Sequence, residues 1–209
     1  MSVGQDMQFH IYLESLLGSK VSIRLIRALI KYPGKIFTVR KLAQVAGVSS
    51  SEAALAVQEL EKFSILTIQP VGRAYLLSLN DRSYILNRIL RPAVKAEEDT
   101  LRELISILKR HLSDKSIISA VLFGSVAVKR ERKDSDIDLL VISNDFEAAS
   151  SIASKVRQEI SLVFNSLLSP LIMNERELIS KKNDRLISSI LEGYTVVAGT
   201  DPKEIIEKK

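Results

Sequence analysis

The stretch that most constrains this chain runs from Ala120 to Ile142, AVLFGSVAVKRERKDSDIDLLVI. Ala120 to Phe123 is an apolar run of a length suited to a short buried strand. Gly124 and Ser125 follow where that strand must turn. Next comes the charged run Lys129, Arg130, Glu131, Arg132, Lys133, after which Asp134, Asp136 and Asp138 alternate into a second apolar run, Leu139 to Ile142. Alternate residues of a strand share a face, so Asp136 and Asp138 are expected side by side. Neighbouring carboxylates repel and lose solvation when buried. A divalent cation between them removes the repulsion, and Mg²⁺ is commonly held by one or two carboxylates plus phosphate oxygens. Gly124 allows close backbone approach, and Ser125 offers a hydroxyl and an N–H at a predicted helix start, where free N–H groups favour anions. The stretch therefore predicts a metal and nucleotide site. Asp136 and Asp138 are the expected metal-ligating and catalytic residues. Gly124 and Ser125 are expected to cradle phosphates, helped by Lys129, Arg130 or Lys133.

Other readings of the same residues can be weighed. A helix–loop–helix calcium site starting at Asp134 needs Gly at its sixth position and Glu at its twelfth, where Leu139 and Asp145 stand. A Walker-type loop needs a Gly-Lys-Ser/Thr ending, and none follows Gly124. The plainer alternative is a surface Asp cluster beside a tight turn.

Gly124-Ser125, ten intervening residues and then Asp136-Ile137-Asp138 resemble the nucleotidyltransferase superfamily of DNA polymerase beta, above all its minimal prokaryotic members. The resemblance implies that the Gly-Ser pair holds a triphosphate and the two Asp hold Mg²⁺ or Mn²⁺, with an NTP, taken as ATP, as substrate or ligand. It also implies a third carboxylate on the strand after the following helix. That strand reads LLSPLIM, Leu167 to Met173, with Ser169 and Pro170 about where the acid is expected and Glu175 just beyond. Two functions follow and both stay open. One is an enzyme moving a nucleoside monophosphate from an NTP to a hydroxyl on a protein, an RNA end or a small molecule. The other is a regulator whose nucleotide domain binds without transferring.

The first third of the chain predicts helices over 9–18, 20–32, 39–46 and from Ser49 or Ser50 to about Phe63, then extended runs 65–69 and 73–79 joined by Pro70-Val71-Gly72. Thr38 is a cap for the third helix, and Gly47 breaks it. Residues 13–80 resemble the winged helix-turn-helix family, in LLGSKVSIRLIRALIKYPGKIFTVRKLAQVAGVSSSEAALAVQELEKFSIL and VGRAYLLSLN. The resemblance makes Ser49–Phe63 the recognition helix and Gly72-Arg73 the wing tip. Base-edge reading relies on Arg, Lys, Asn or Gln, but this helix carries Glu52, Glu59 and Glu61 against Lys62. Ser50 and Gln58 are its candidates for bases; Lys35, Arg40, Lys41 and Arg73 are candidates for phosphates. Weak, mainly electrostatic binding of duplex DNA is expected, the alternative being a dimerisation or docking module.

Charge distribution supports that expectation. Residues 1–113 hold 16 Lys and Arg against 10 Asp and Glu, whereas 114–209 hold 14 against 15, so the basic half is the polyanion-facing one. Ile85, Leu86, Ile89 and Leu90, a kink or restart at Pro92, and Leu101, Leu104, Ile105, Leu108 and Leu112 at helical spacing describe a connector that packs on the second domain, with a homodimer seam left open. Later segments predict a helix capped by Asn144 or Asp145 and running to about Asn165, the LLSPLIM strand, helices over 175–181 and 183–191, a strand 194–198 and a fraying tail. The expected class is α+β: a winged helix-turn-helix domain (1–81), a helical connector (82–113), a small mixed-sheet nucleotidyltransferase-like domain (114–200) and a tail (201–209). The chain has no Cys and two His, which excludes disulfides and a thiolate zinc site. No apolar run reaches the roughly 18 residues of a membrane span, and the N-terminus lacks a signal-peptide pattern; a cytoplasmic protein with no membrane partner is expected.

Overall fold

The computed structural model describes residues 12–72, 74–133 and 135–207. Arg73 and Asp134, and the start of the first expected helix at residues 9–11, lie outside these. The chain divides into two compact units between Asp99 and Thr100. No described helix is long and apolar enough to cross a membrane.

The first unit is a winged helix-turn-helix. It comprises α1 (Leu13–Leu17), α2 (Lys20–Lys31), β1 (Phe37–Thr38), α3 (Val39–Ala46), α4 (Ser50–Lys62), β2 (Leu66–Val71) and β3 (Ala74–Leu79), with sheet order β1-β3-β2. Local chemistry sets the helix ends. Ser19 and Thr38 cap α2 and α3, and Gly47 closes α3 in the left-handed region at φ 66°. Ser49 and Glu52 form a reciprocal capping box on α4; such caps stabilise by about 1 kcal/mol. Leu25, Ile26, Leu29, Phe37, Leu42, Leu60, Ile65 and Leu77 are fully buried in one cluster. Two details differ from the sequence reading. Phe37–Thr38 adds a strand, pairing with Leu77 and Leu76. Pro70 is not in the turn but in the ladder opposite Tyr75, with pairing continuing to Val71 and Ala74. β2 is an edge strand, where a residue without an N–H costs no ladder bond.

A π-helical turn, Leu86–Leu90, leads into α5 (Arg91–Leu112). The proline ring of Pro92 clashes with the carbonyl four residues back in a regular α-helix, and the widened turn lies directly ahead of it. Ile85, Leu86, Leu90 and Val94 complete the first core; Leu104, Leu108 and Leu112 belong to a core of the second unit.

The second unit is a four-stranded mixed sheet, order β6-β5-β4-β7. Its elements are β4 (Ser119–Phe123), α6 (Gly124–Ala127), β5 (Ile137–Ile142), α7 (Phe146–Phe164), β6 (Leu168–Met173), α8 (Glu175–Ser180), α9 (Arg185–Glu192), β7 (Tyr194–Gly199) and α10 (Pro202–Glu207). β4 is antiparallel to β5 and β7, and β5 is parallel to β6. Both faces of β5 are buried, as an uninterrupted apolar run requires. Leu139 and Val141 meet Leu104, Leu108, Val156 and Ile160 of α5 and α7 on one side. Leu140 and Ile142 meet Leu178, Ile187, Ile190 and Ile205 of α8, α9 and α10 on the other. The expected fraying tail is instead a helix through residue 207, because Pro202 and Ile205 are buried.

Candidate functional site

One end of the sheet collects the expected site. β4 ends at Phe123, whose pairing partner is Asp138, and α6 begins at the next residue. Asp136 precedes β5 at the same end. Gly124 has φ 73°, and a Cβ there would overlap the Asp138 carboxylate, Oδ2 first. The glycine is thus required by two independent facts, a left-handed backbone and a neighbour that fills the side-chain volume. By strand parity Asp138 lies on the same side of the sheet as Leu140 and Ile142. It is half-buried, whereas Asp136 is exposed. Loss of solvation, and then the negative charge of Asp136, raise the Asp138 carboxyl above the ordinary aspartate value. The Ser169 hydroxyl donates to Asp136 Oδ2 at 3.1 Å. Ser169 stands opposite Asp138 in the parallel β5–β6 register, so the β6 residue that bonds Asp136 is also the backbone neighbour of Asp138.

This donor set is two carboxylates and a hydroxyl, all hard oxygens. It fits Mg²⁺ or Mn²⁺, which take such ligands and complete their shells with phosphate or water. Among the described residues no group of three His, Asp or Glu side chains gathers as metal ligands. The position where a third acid was expected is held by Ser169. Glu175 is excluded from that role by topology. β5 and β6 run parallel away from the site, and Glu175 follows Met173, which pairs with Ile142 at the far end. There it accepts a hydrogen bond from Asn144. Asp145 lies at that far end too, where it caps α7 through the Ala148 N–H at 2.9 Å.

The basic run returns from α6 to β5. Its start is tied to the site backbone, the Arg130 N–H donating to the Ser125 carbonyl at 2.8 Å. Lys129, Arg130 and Lys133 are exposed.

In the first unit the described candidates stay on the surface. Arg40 and Lys41 are exposed on α3, Ser50 and Gln58 on α4. Lys41 Nζ donates to Gln44. Lys35 is not simply a free cation, since its ammonium lies 5.0 Å from the Tyr32 ring centroid and 5.4 Å from that of Phe37. Glu52 is fixed at the N-terminus of α4 by the Ser49 hydroxyl and N–H, which lower its pKa, so a carboxylate occupies the helix end that favours anions.

Sequence reasoning did not reach the Ser169–Asp136 contact, although the offset of Ser169 within LLSPLIM marked its place. The sequence also gives no sign that the Asp138 carboxylate occupies the volume of a Cβ at Gly124. A glycine directly after an apolar strand and an Asp at the matching antiparallel register are the signal that could have paired them.

The model of the nucleotidyltransferase domain family matches residues 101–197. A Methanocaldococcus jannaschii protein named "Putative protein adenylyltransferase MJ1305" is 32% identical over 111 residues, covering 51% of this chain and 75% of that one. The chain belongs to the nucleotidyltransferase domain family. Among solved structures, a toxin–antitoxin crystal structure with AMP-PNP aligns at 17% identity and TM-score 0.34, over 52% of this chain and 82% of that one. The archaeal chromatin protein TrmBL2 aligns at 16% identity and TM-score 0.31, over 90% of this chain and 76% of that one. Both likenesses are distant.

Proposed function

We propose that the second unit binds an NTP, most simply ATP, together with Mg²⁺ or Mn²⁺, and transfers its nucleoside monophosphate to a hydroxyl. The observation that carries this reading is the interlocked group at one sheet end: Gly124 left-handed against the Asp138 carboxylate, Asp136 beside it and Ser125 in the adjoining turn. Asp136 and Asp138 would hold the cation, which would neutralise phosphate charge during an in-line displacement. Gly124 and Ser125 would cradle the phosphates, and Lys129, Arg130 and Lys133 would add positive charge nearby. In the transfer the acceptor oxygen forms a bond to the α-phosphorus, the bond from that phosphorus to the β-bridging oxygen breaks, pyrophosphate leaves, and the hydroxyl proton passes to solvent. The name of the Methanocaldococcus jannaschii relative makes a protein hydroxyl the first acceptor to test.

Ser169 favours a second reading. With a hydroxyl where a carboxylate was expected, no third acid joins Asp136 and Asp138 among the described residues, and a general base is typically worth about 10²–10⁴ in rate. The protein would then be a winged-helix regulator that binds nucleotide without turnover. Incubation of the full chain with Mg²⁺ and ATP labelled at the α-phosphate separates the two. Label in a covalent product supports transfer; saturable retention of ATP without product supports binding alone.

The winged helix is read as a weak, sequence-tolerant duplex-DNA module. Exposed Arg40 and Lys41 support phosphate contacts, while Glu52 at the start of α4 opposes close approach to the groove.

A further inference from the structure

We propose that Ser169 is a positioning residue for the carboxylate pair, holding Asp136 so that the site takes a single divalent cation. The inference rests on the nucleotide-site reading above and deepens it. Asp136 lies just ahead of β5, exposed and outside the strand ladder, so its carboxylate needs a side-chain contact to fix its direction. The described hydrogen bond to that carboxylate comes from Ser169, at 3.1 Å to Oδ2. Ser169 is itself held firmly. From β6 it pairs with Asp138 of β5, and Pro170 after it restricts its backbone to the extended region. The hydroxyl that meets Asp136 therefore projects from a stiff edge strand, on the residue whose backbone partner is Asp138.

Charge sets the number of ions. Two carboxylates carry two negative charges, which one divalent cation balances. The Ser169 hydroxyl orients an oxygen without adding the third negative charge that would help retain a second cation. Groups that orient metal-ligating carboxylates typically cost about 10- to 100-fold in metal affinity when removed.

The test is a Mn²⁺ titration of the full chain without nucleotide, following free Mn²⁺ by electron paramagnetic resonance. The expected result is one Mn²⁺ per chain, about tenfold or greater weakening in Ser169→Ala, and recovery of most of the affinity in Ser169→Thr, which keeps the hydroxyl. Urea midpoints measured in EDTA should agree among the three proteins, so that a change in folding cannot produce the difference. Equal Mn²⁺ affinity in the wild type and Ser169→Ala overturns the positioning role and leaves the nucleotide-site reading intact. So does a Ser169→Thr protein as weak as Ser169→Ala. Two Mn²⁺ per wild-type chain overturns the single-cation stoichiometry. A wild type that binds no Mn²⁺ overturns the positioning role and the cation site together.

Discussion

The Asp138 carboxylate fills the space that a side chain on Gly124 would occupy. The residue that directly follows β4 and the residue near the start of β5 are therefore one packed unit. A change at either is felt at the other, and this coupling supplies the first prediction.

Gly124→Val should damage folding and binding together. The left-handed backbone alone costs a non-glycine residue about 1–2 kcal/mol, and the added Cβ must also displace the Asp138 carboxylate. Mg²⁺–ATP affinity should fall at least about tenfold, which corresponds to about 1.4 kcal/mol. Arg132→Ala, in the exposed loop, should change binding far less. Urea unfolding and ATP titration of both proteins check this, and comparable losses of ATP affinity from the two changes would count against a phosphate role for the turn.

Acid stability should depend on Glu159. His111 Nε2 lies 2.6 Å from its Oε2, and Arg110 pairs with Oε1. The hydrogen bonds from His111 and Arg110 hold the Glu159 pKa below the ordinary 4.5. A lowered carboxylate pKa means that the unfolded chain binds more protons in this range, so stability rises with pH there. The Glu159 contribution is present above pH 4.5 and is lost as pH falls through the lower folded-state value. Glu159→Gln should flatten the decline of the urea midpoint below pH 4.5 while lowering the midpoint at pH 7. A decline as steep as that of the wild type would show that the α5–α7 staple is not responsible.

Duplex DNA should bind weakly and with little sequence preference. Each phosphate neutralised by Lys or Arg contributes about −0.9 to the slope of log affinity against log salt. Lys41→Ala with Arg73→Ala should lower affinity for every duplex alike and flatten that slope by up to about 2. Fluorescence anisotropy across a salt series reads both quantities. Tight, salt-resistant binding to one sequence would mean that α4 reads bases despite Glu52. No binding at low salt would favour a docking role for the winged helix.

What the sequence made legible was mostly local. Ser49 with Glu52, Thr38 before Val39 and Asp145 before Phe146 announce helix starts by hydrogen-bond chemistry within four residues. The unbroken run Leu139–Ile142 announces a strand covered on both faces. The carboxylate spacing and the turn were equally readable, and the structure brings them to one end of the sheet. What stayed hidden depends on distant partners. Phe37–Thr38 is a strand only because Leu76 and Leu77 lie beside it, and Thr38 also serves as a helix cap. Pro70 reads as a turn residue until the edge position of β2 is known. The 202–207 tail is charged along much of its length, yet Pro202 and Ile205 anchor it against the α8–α9 side of the sheet. Glu175 is two residues beyond the Met173 end of β6, and only the parallel register shows that this is the wrong end.

The most direct measurement of the central claim is ATP binding to the full chain by isothermal titration calorimetry, with Mg²⁺ and with EDTA, for the wild type and for Asp136→Asn with Asp138→Asn. The account predicts saturable binding that requires Mg²⁺ and is lost in the double variant. Its circular dichroism should be unchanged and its unfolding midpoint no lower, because removing two neighbouring negative charges relieves their repulsion. Wild-type Mg²⁺–ATP affinity in the folded double variant would contradict it.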